Sequence, residues 1–356
     1  MTRGLSAISL WRCLLRPRWW LSALLLAICA WFCWRELAYL AAVSEVKRSA
    51  TWTGPKSSDI VWRVRLGLFA PKGASVPEFR GLVLFKGHDL KSIGHLLPRL
   101  RPTHLEAEEC MAGHLNALKG LTSLQTITFR SCPALQNVDG LKGLTGLRML
   151  DLFNCRSLQS VDALSGLTGL ETLQIEGCAS LRNVDVLAGL TGLQNLTLMN
   201  CSALQDVNGV RRLSSLRNLF IGPCATLQRM DDLGDLPALE WLDLSDCPNL
   251  QELDGLKGLS RLPRLDLRNC TALQNVDALK SLTGLRTIDL RGCTALENVD
   301  GLKGLQSLQS IRLDGRTKLS QSTLRELRAA LPRTVIFVSK HHTDPEKDDR
   351  VPAGKP

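Results

Sequence analysis

The stretch that decides the fold is Leu239-Glu-Trp-Leu242-Asp-Leu244-Ser-Asp-Cys247, whose pattern recurs along the chain every 23 residues. Cysteine marks this interval most plainly, because nine cysteines follow one another at gaps of 23 residues after a first gap of 22. They are Cys110, Cys132, Cys155, Cys178, Cys201, Cys224, Cys247, Cys270 and Cys293. Disulfide frameworks and zinc sites have uneven or closely paired cysteines, so a strict interval indicates an internal repeat.

The repeat has the pattern LxxLxLxxCxxLxxVDxLxxLxx over eight regular copies. Its LxL portion predicts a short strand, because the side chains of a strand point alternately to its two faces. The remaining apolar positions turn the chain back along the other side of the coil. One coil cannot bury its own leucines, whereas stacked coils share a continuous core. The 71 leucines among 356 residues are therefore interpreted as that core.

Two further columns of the repeat carry predictions. The cysteine is predicted to point into the core, where a free thiol packs as a small apolar group. Disulfides between neighbouring coils and a metal site are the alternatives. Seven residues after each regular cysteine stands Asp or Asn, as in Asp139 and Asn208. Both are favoured N-cap residues, so this column is predicted to cap a short helical turn. A calcium-binding ladder is the alternative, but one carboxylate per coil supplies too few oxygen ligands.

These repeats resemble the leucine-rich repeat family. Cys247-Pro-Asn-Leu250 resembles the cysteine-type repeats of plant immune receptors, and Val161-Asp-Ala-Leu164-Ser-Gly-Leu167-Thr is similar to bacterial internalin-type repeats. The resemblance covers roughly residues 79–338. It implies an α/β solenoid, a curved array with a parallel β-sheet on its concave side and short helical or 3-10 turns on its convex side. It also implies that a ligand, usually a protein, binds the concave sheet, without indicating which ligand.

The chain is predicted to contain about eleven coils, because Leu82 and Leu105 continue the leucine spacing upstream of the regular copies. Beyond the last copy, the residue pattern predicts a helix at Gln321–Leu331 and a final strand at Val335–Val338. The predicted segments are a basic N-terminal segment at 1–18, a transmembrane signal anchor at 19–43, a linker and N-terminal cap at 44–78, the leucine-rich repeat domain with its C-terminal cap at 79–338, and a disordered tail at 339–356.

The N-terminal region has the character of a membrane anchor. Four arginines precede an uncharged run of sixteen residues, Trp19–Trp34. As a helix this run spans about 24 Å, somewhat less than a bilayer core, and Leu37–Val43 extends it. The position of the arginines predicts a single-pass membrane protein with a cytoplasmic N-terminus and a periplasmic or extracellular repeat array. A cleaved signal peptide and an array facing the cytoplasm are the alternatives.

The formal net charge of +10 does not predict a nucleic-acid partner. Residues 110–315 contain 19 Lys or Arg and 21 Asp or Glu, so the array has a net charge of −2 and lacks an overall basic excess. No catalytic set, cofactor site or metal site is predicted, and the chain is expected not to be an enzyme. One weak metal candidate has irregular spacing. It consists of His104, Glu106, Glu108, Cys110 and His114.

The concave face is defined by the residues two, four and six positions before each cysteine, which alternate with the buried strand residues. Most are polar, but Met199, Phe220 and Trp241 lie on three successive strands and are predicted to form an apolar patch, beside which Arg and Asp interleave. Trp and Arg together are typical of interface hot spots. The predicted ligand-binding residues are Phe153, Met199, Phe220, Trp241, Asp243, Arg264, Asp266, Arg268, Asp289 and Arg291. The alternative is incidental exposure, with Arg and Asp merely paired across strands.

Together these features predict a non-enzymatic, membrane-anchored leucine-rich repeat protein that binds an unknown protein ligand through its concave face. The alternatives are an envelope structural protein, whose array packs laterally, and a soluble leucine-rich repeat inhibitor or scaffold without a membrane anchor.

Overall fold

A computed structural model describes residues 82–84, 95, 97–110, 112–228, 233 and 236–339. Within them, twelve parallel strands form one sheet in the order of the chain. The strands are β1 (Leu82–Leu84), β2 (His104–Glu108), β3 (Thr126–Arg130), β4 (Met149–Phe153), β5 (Thr172–Glu176), β6 (Asn195–Met199), β7 (Asn218–Ile221), β8 (Trp241–Asp243), β9 (Arg264–Asp266), β10 (Thr287–Asp289), β11 (Ser310–Asp314) and β12 (Val335–Ser339). The predicted solenoid is confirmed, since each coil adds one strand beside that of the preceding coil.

Neighbouring strands are aligned one repeat apart. Met149 of β4 pairs with Thr172 of β5, and Thr172 pairs with Asn195 of β6. Each repeat position therefore forms a row across the sheet. Leu150 and Leu152 are fully buried, while the strand residues on either side of them are partly exposed. This alternation confirms the predicted inward direction of the LxL leucines.

Between the strands, the regular coils form 3-10 turns. In the described residues these span Ala112–Leu118, Asp139–Leu141, Asp162–Leu164, Asp185–Gly189, Asn208–Arg212, Asp254–Leu256, Asp277–Ser281 and Asp300–Leu302. Their apolar side chains, such as Leu141 and Leu164, are fully buried in the core shared with the strands. The structure describes two α-helices, α1 (Leu97–Leu100) and α2 (Gln321–Ala330).

The predicted N-cap role of the Asp/Asn column is wrong. Asp139 is the first residue of its 3-10 turn, and the N-cap is Val138, which makes no side-chain cap bond. The side chain two residues before the Asp accepts the hydrogen bond instead. Asn137 Oδ1 accepts the backbone N–H of Asp139 at 3.2 Å, and Asn298 Oδ1 accepts that of Asp300 at 2.7 Å. An N-cap residue has a non-helical backbone, whereas the Asp is already the first residue within the turn, and its own N–H is bound by the side chain two residues earlier.

The nine cysteines of the array are buried and free, as predicted for a thiol ladder. They also make hydrogen bonds that the apolar interpretation missed. Cys270 Sγ donates to the Leu244 carbonyl at 3.3 Å, and Cys293 Sγ donates to the Leu267 carbonyl at 3.1 Å. Each of these carbonyls belongs to the preceding coil, so the thiol links coils as well as filling the core. Burial raises the pKa of Cys224 to about 11, which keeps this thiol neutral at physiological pH.

The residue before the cysteine has a left-handed backbone in most of the coils. Its φ is 55° at Asn154, 58° at Asn269 and 78° at Gly292. Asn, Asp and Gly tolerate this conformation better than other residues. At Gly292 a Cβ atom would also lie against Asn269 Oδ1, so glycine is required there for space as well. Apart from Pro223, the regular copies have only Ser, Asn, Asp or Gly in this column, a pattern from which the left-handed backbone was not predicted.

The predicted helix and final strand after the last regular copy are confirmed. α2 begins after Ser320, whose Oγ accepts the backbone N–H of Thr323 at 3.0 Å. Leu324 and Leu327 of this helix are buried in the core. β12 pairs with β11 over five residues and continues through Ser339, one residue past the predicted end of the repeat domain. The helix and strand thus close the last coil.

The N-terminal predictions lie outside the described residues. They concern the basic segment at 1–18, the transmembrane anchor at 19–43 and the linker and cap at 44–78; most of the tail at 339–356 is also outside. Within the described part of the chain, no helix combines the length and the apolar character needed to cross a bilayer.

Candidate ligand-binding surface

The concave face presents three rows of side chains, which we call the first, middle and last rows in the order that each strand meets them. Trp241 and Arg264 are neighbours in the first row, and Asp243 and Asp266 are neighbours in the middle row. Eight of the ten predicted ligand-binding residues lie in strands. The other two, Arg268 and Arg291, follow β9 and β10 by two residues. Register thus brings the aromatic and charged residues of β7 to β10 to one part of the sheet.

Phe220, Trp241 and Arg264 form one contact unit, which we call the aromatic–arginine cluster. The ring centroids of Phe220 and Trp241 are 4.8 Å apart, and their planes make an angle of 73°. The guanidinium carbon of Arg264 lies 4.0 Å from the centroid of the Trp241 ring. Edge-to-face aromatic pairs contribute about 0.5–1.5 kcal/mol beyond burial, and an exposed cation–π contact contributes about 0.5–1 kcal/mol. Both rings are half-buried and Arg264 is exposed, so part of the cluster faces solvent.

The indole N–H of Trp241 is buried and has no hydrogen-bond partner within the described structure. The first row leads up to it through a ladder of polar side chains. Asn218 Nδ2 donates to Asn195 Oδ1 at 2.7 Å, and Asn195 Nδ2 donates to Thr172 Oγ1 at 3.3 Å. The ladder ends beside Trp241, since Asn218 and Trp241 are paired in register. This ladder was not predicted from the sequence.

Phe153 and Met199 lie apart from the aromatic–arginine cluster. Both are in the last row, where Glu176 stands between them. The register partner of Phe220 on β6 is Thr197. Met199 ends β6, whereas Trp241 begins β8. Of the three residues predicted to form an apolar patch, Phe220 and Trp241 are therefore in contact, whereas Met199 lies in a different row.

Arg and Asp pair mainly within a coil, whereas the sequence alternative placed these pairs across strands. Asp266 accepts the backbone N–H of Arg268 at 3.0 Å and its Nε at 2.9 and 2.8 Å from the two carboxylate oxygens. Asp289 accepts the backbone N–H of Arg291 at 3.2 Å and its Nη2 at 2.7 Å. Each carboxylate therefore stabilises the turn that follows its strand. A weaker contact crosses strands, with Arg312 Nη1 at 3.8 Å from an oxygen of Asp289.

These pairs leave little free carboxylate for a ligand. Asp266 and Asp289 are each 9% exposed. Burial raises the pKa of Asp266 above its ordinary value, although the hydrogen bonds from Arg268 oppose that shift. The bound carboxylate in turn raises the pKa of Arg268. The two acids therefore act mainly within the fold, whereas part of each arginine side chain still faces solvent.

A third pair of this kind was missed in the sequence. Asp314 accepts the backbone N–H of Arg316 at 2.9 Å, its Nη2 at 3.1 Å and the backbone N–H of Gly292 at 2.6 Å. Burial alone would raise the pKa of Asp314, but these hydrogen bonds lower it below the ordinary value. The signal that reveals the set is an Asp followed two residues later by an Arg, at or near the end of a strand.

Asp243, like Asp151, is an acid of the middle row that lacks such an arginine. Its carboxylate accepts the backbone N–H of Ser245 at 2.9 Å, and Ser245 occupies the position of Arg in the next two coils. Asp243 is half-buried and pairs in register with Phe220. It is therefore the acid of this row best placed to act together with the aromatic–arginine cluster.

Three residues of the weak metal candidate are engaged elsewhere. His104 Nδ1 is hydrogen-bonded to Thr103 Oγ1 at 2.8 Å, Glu106 binds Arg130 at 2.8 Å, and Cys110 is fully buried. In the part of the chain that the structure describes, no three or more His, Cys, Asp or Glu side chains are grouped so that they can hold a metal ion.

Two family models match the chain. The model of the BspA type leucine-rich repeat region matches residues 108–228 in six copies. The model of the leucine-rich repeat domain of the endo-beta-N-acetylglucosaminidase EndoS matches residues 230–324. The two matches together take in the regular copies of the repeat. No curated protein matches the chain.

Several solved structures are similar to the chain. An internalin, InlF, from Listeria monocytogenes is 19% identical over 70% of this chain and 77% of its own, with a TM-score of 0.46. The leucine-rich repeat domain of the type III effector XopL is 22% identical over 71% of this chain and 80% of its own, with a TM-score of 0.47. TLR13 in its complex with ssRNA13 is 17% identical over 71% of this chain and 49% of its own, with a TM-score of 0.42.

Proposed function

Since this chain is a leucine-rich repeat protein, we propose that it is a non-enzymatic binding protein that takes a protein ligand on its concave face. The observation that carries the proposal is the aromatic–arginine cluster on three neighbouring strands. Interface hot spots are enriched in Trp, Tyr and Arg, and they sit in packed surroundings that exclude water. Trp241 and Arg264 are of these types, and Phe220 packs edge-to-face against Trp241, which preorganises the indole ring for contact with a ligand.

The unpaired indole N–H of Trp241 supports the same proposal. A buried donor without an acceptor costs about 1–3 kcal/mol. Arg264 lies against this ring. A ligand that shifts Arg264 and offers a carbonyl or carboxylate oxygen to the indole removes that cost, so binding gains free energy that the unliganded protein lacks.

We propose further that residues 19–43 hold the array at the cytoplasmic membrane, with the N-terminus in the cytoplasm. This rests on Arg3, Arg12, Arg16 and Arg18 before the apolar run and on the mixed charges after it. Protease treatment of intact cells or spheroplasts, followed by fractionation, tests it. Digestion of the array together with recovery of a membrane-bound N-terminal fragment is expected. Recovery of the whole chain in the soluble fraction would contradict it and favour the inhibitor or scaffold alternative.

The ligand-binding proposal is tested with Trp241→Ala and the matched control Met149→Ala, which alters another half-buried apolar side chain of the first row. Chemical crosslinking first identifies the partner, and the dissociation constant is then measured with purified proteins. Trp241→Ala should weaken binding at least about tenfold, since a hot-spot truncation costs about 2 kcal/mol or more. Met149→Ala should leave it within about twofold, as for contacts outside a hot spot.

Two results would contradict the proposal. One is that Trp241→Ala binds the partner as tightly as the unaltered protein does. The other is that crosslinking finds only self-association of the array, which would favour the structural alternative. Circular dichroism of both variants checks that each remains folded.

A further inference from the structure

A cleft of about 760 Å³ opens where the chain enters strands β8 to β10. Arg261, Arg264 and Arg286 line it, together with Glu240, Pro263 and Gly284. All three arginines are exposed. Arg264 also belongs to the aromatic–arginine cluster, because its guanidinium group lies over Trp241. The cleft is therefore continuous with the candidate ligand-binding surface.

Each of the three arginines differs from the repeat pattern, either in residue type or in the absence of the usual ion-pair partner. Arg261 lies nine positions before its cysteine, where the other regular copies have only Gly, Ala or Ser. Arg264 is the one arginine of the first row among the eight copies. Arg286 lies seven positions before its cysteine, in a row where Arg normally has Glu beside it in the next coil. Arg261 and Arg264 thus depart from the residue types of their columns, and Arg286 lacks the usual Glu partner. All three side chains line the same cleft.

Other arginines in the row of Arg286 have a glutamate partner that Arg286 lacks. Arg148 binds Glu171 of the next coil at 2.7 Å, and Arg217 binds Glu240 of the next coil at 2.8 Å. Arg286 instead stands between Pro263 and Gln309. In the described part of the chain, Arg261, Arg264 and Arg286 form no ion pair, and the one acid of the cleft, Glu240, is already bound by Arg217.

Backbone segments of neighbouring coils approach each other closely at the residues that line the cleft. The backbone N–H of Gly284 donates to the Ser260 carbonyl at 2.8 Å, and a Cβ atom on Gly284 would meet the backbone of Ser260 and Arg261. Pro263 has no N–H, and its carbonyl accepts the N–H groups of Arg286 and Thr287 at 2.8 and 3.0 Å. The backbones that carry the arginines are therefore fixed, while their side chains are free to close on a ligand.

We propose that this cleft binds an acidic segment of the protein ligand, whose carboxylates are held by Arg261 and Arg286 while a neighbouring apolar side chain packs on Trp241. The inference rests on the proposed function and names the chemistry of the partner. A guanidinium group presents paired N–H donors whose geometry matches a carboxylate. Three unpaired guanidinium groups around one cleft are stabilised by such a ligand, since their mutual repulsion falls when it binds.

An acidic peptide fits better than a nucleic acid. A polyanion needs a continuous basic track along the surface. Here the basic residues are interrupted, because Glu240 lines the same cleft and Asp243, which pairs with no arginine in the described residues, follows on β8. The array between residues 110 and 315 has 21 acidic against 19 basic side chains. The three arginines of the cleft therefore complement only a short stretch of negative charge on a ligand.

Fluorescence anisotropy with the purified full-length protein tests the inference. The probes are a labelled glutamate-rich peptide that contains one leucine, the same peptide with glutamine for glutamate, and a labelled thymidine oligonucleotide. The variants are Arg261→Glu combined with Arg286→Glu, and the control Arg156→Glu, an exposed arginine on another coil. The glutamate peptide should bind, the paired reversal should weaken it at least about tenfold, and the control should not. Binding should also weaken as salt is added.

The inference is overturned if the glutamate peptide does not bind, if the glutamine peptide binds equally well, or if the oligonucleotide binds as tightly. It is also overturned if the paired reversal has no effect. None of these results touches the proposed function, which depends on the loss of the crosslinked partner by Trp241→Ala. If that variant loses the partner while the paired reversal keeps it, only the inference about the cleft fails.

Discussion

Replacing Asp266 with alanine should destabilise the array more than replacing Asp243. Both carboxylates accept the backbone N–H of the residue two positions later, from Arg268 at 3.0 Å and from Ser245 at 2.9 Å. Only Asp266 also binds an arginine side chain, with Arg268 Nε at 2.8 Å from its nearer oxygen. The two substitutions therefore remove the same backbone hydrogen bond and differ in one ion pair.

The magnitudes follow from exposure. A backbone hydrogen bond to a charged acceptor contributes about 1.5–3 kcal/mol, and this loss is common to both variants. The Arg268 side chain is 39% exposed, so solvent screens the ion pair, which is expected to add only about 0.2–1 kcal/mol. We therefore expect a loss of roughly 2–4 kcal/mol for Asp266→Ala, and a loss smaller by up to about 1 kcal/mol for Asp243→Ala.

Urea unfolding followed by circular dichroism measures both losses. The slopes of the unfolding curves have to be compared as well, because an array of coils can lose its cooperativity and unfold in parts. Equal free-energy losses in the two variants would refute the assignment of a stabilising role to the Asp266–Arg268 pair. A larger loss in Asp243→Ala would refute the whole account of this row.

A pH series on Arg268→Ala extends this test. Burial already raises the pKa of Asp266 in the folded protein, and the loss of Arg268 raises it further. The folded state then binds a proton more readily than the unfolded state, so the stability contributed at this site increases as the pH falls through the raised pKa toward the unfolded value. The stability deficit of the variant relative to the unaltered protein should therefore be largest near neutral pH and narrow on acidification. A deficit that does not change with pH would contradict this.

Three further predictions concern the scaffold. Gly292→Ala should cost more stability than Gly143→Ala in denaturant unfolding, because both glycines have positive φ but only Gly292 lacks space for a Cβ atom; equal losses would contradict this. Cys224 should resist alkylation at pH 8 in the native protein and react in denaturant, as mass spectrometry can map, since this thiol is buried and burial raises its pKa to about 11. Asp314→Asn should destabilise the protein at neutral pH, because the stabilisation belongs to the ionised carboxylate. The difference in stability between the variant and the unaltered protein should vanish as the pH falls through the lowered pKa of Asp314. Thermal unfolding at a series of pH values measures this difference, and a difference that stays constant with pH would contradict the prediction.

The sequence predicted the repeat, the strand positions and the direction of the leucines, because these depend on burial and burial follows the periodicity directly. It also predicted α2 within one residue. It misassigned the Asp of the turn as an N-cap, since Asp is common both at an N-cap and in the first turn of a helix, and only the backbone angles distinguish the two positions. Before the cysteine, every regular copy except the one with Pro223 has Asn, Asp, Ser or Gly, and this pattern indicates a left-handed backbone conformation rather than packing.

The candidate site was predicted less completely. Phe220 and Trp241 were predicted to share an apolar patch with Arg264 beside it, and the structure shows that these three residues touch, whereas Met199 lies apart. The pairing of Asp266 with Arg268 within one coil was not foreseen, because it depends on how the chain turns after the strand. The cleft arginines Arg261 and Arg286 were not selected at all, since both lie outside the three rows of the concave face.

The sequence by itself determined that this protein is a solenoid, because a 23-residue period of leucine and cysteine can be buried only when successive coils stack. Only the tertiary structure decided which exposed side chains meet. Residues of neighbouring coils stand far apart in the chain and come within contact distance through the parallel register, and their rotamers then select among several possible partners. For this reason the core could be predicted from the sequence, whereas the cluster around Trp241 and the cleft beside it could be identified only from the three-dimensional structure.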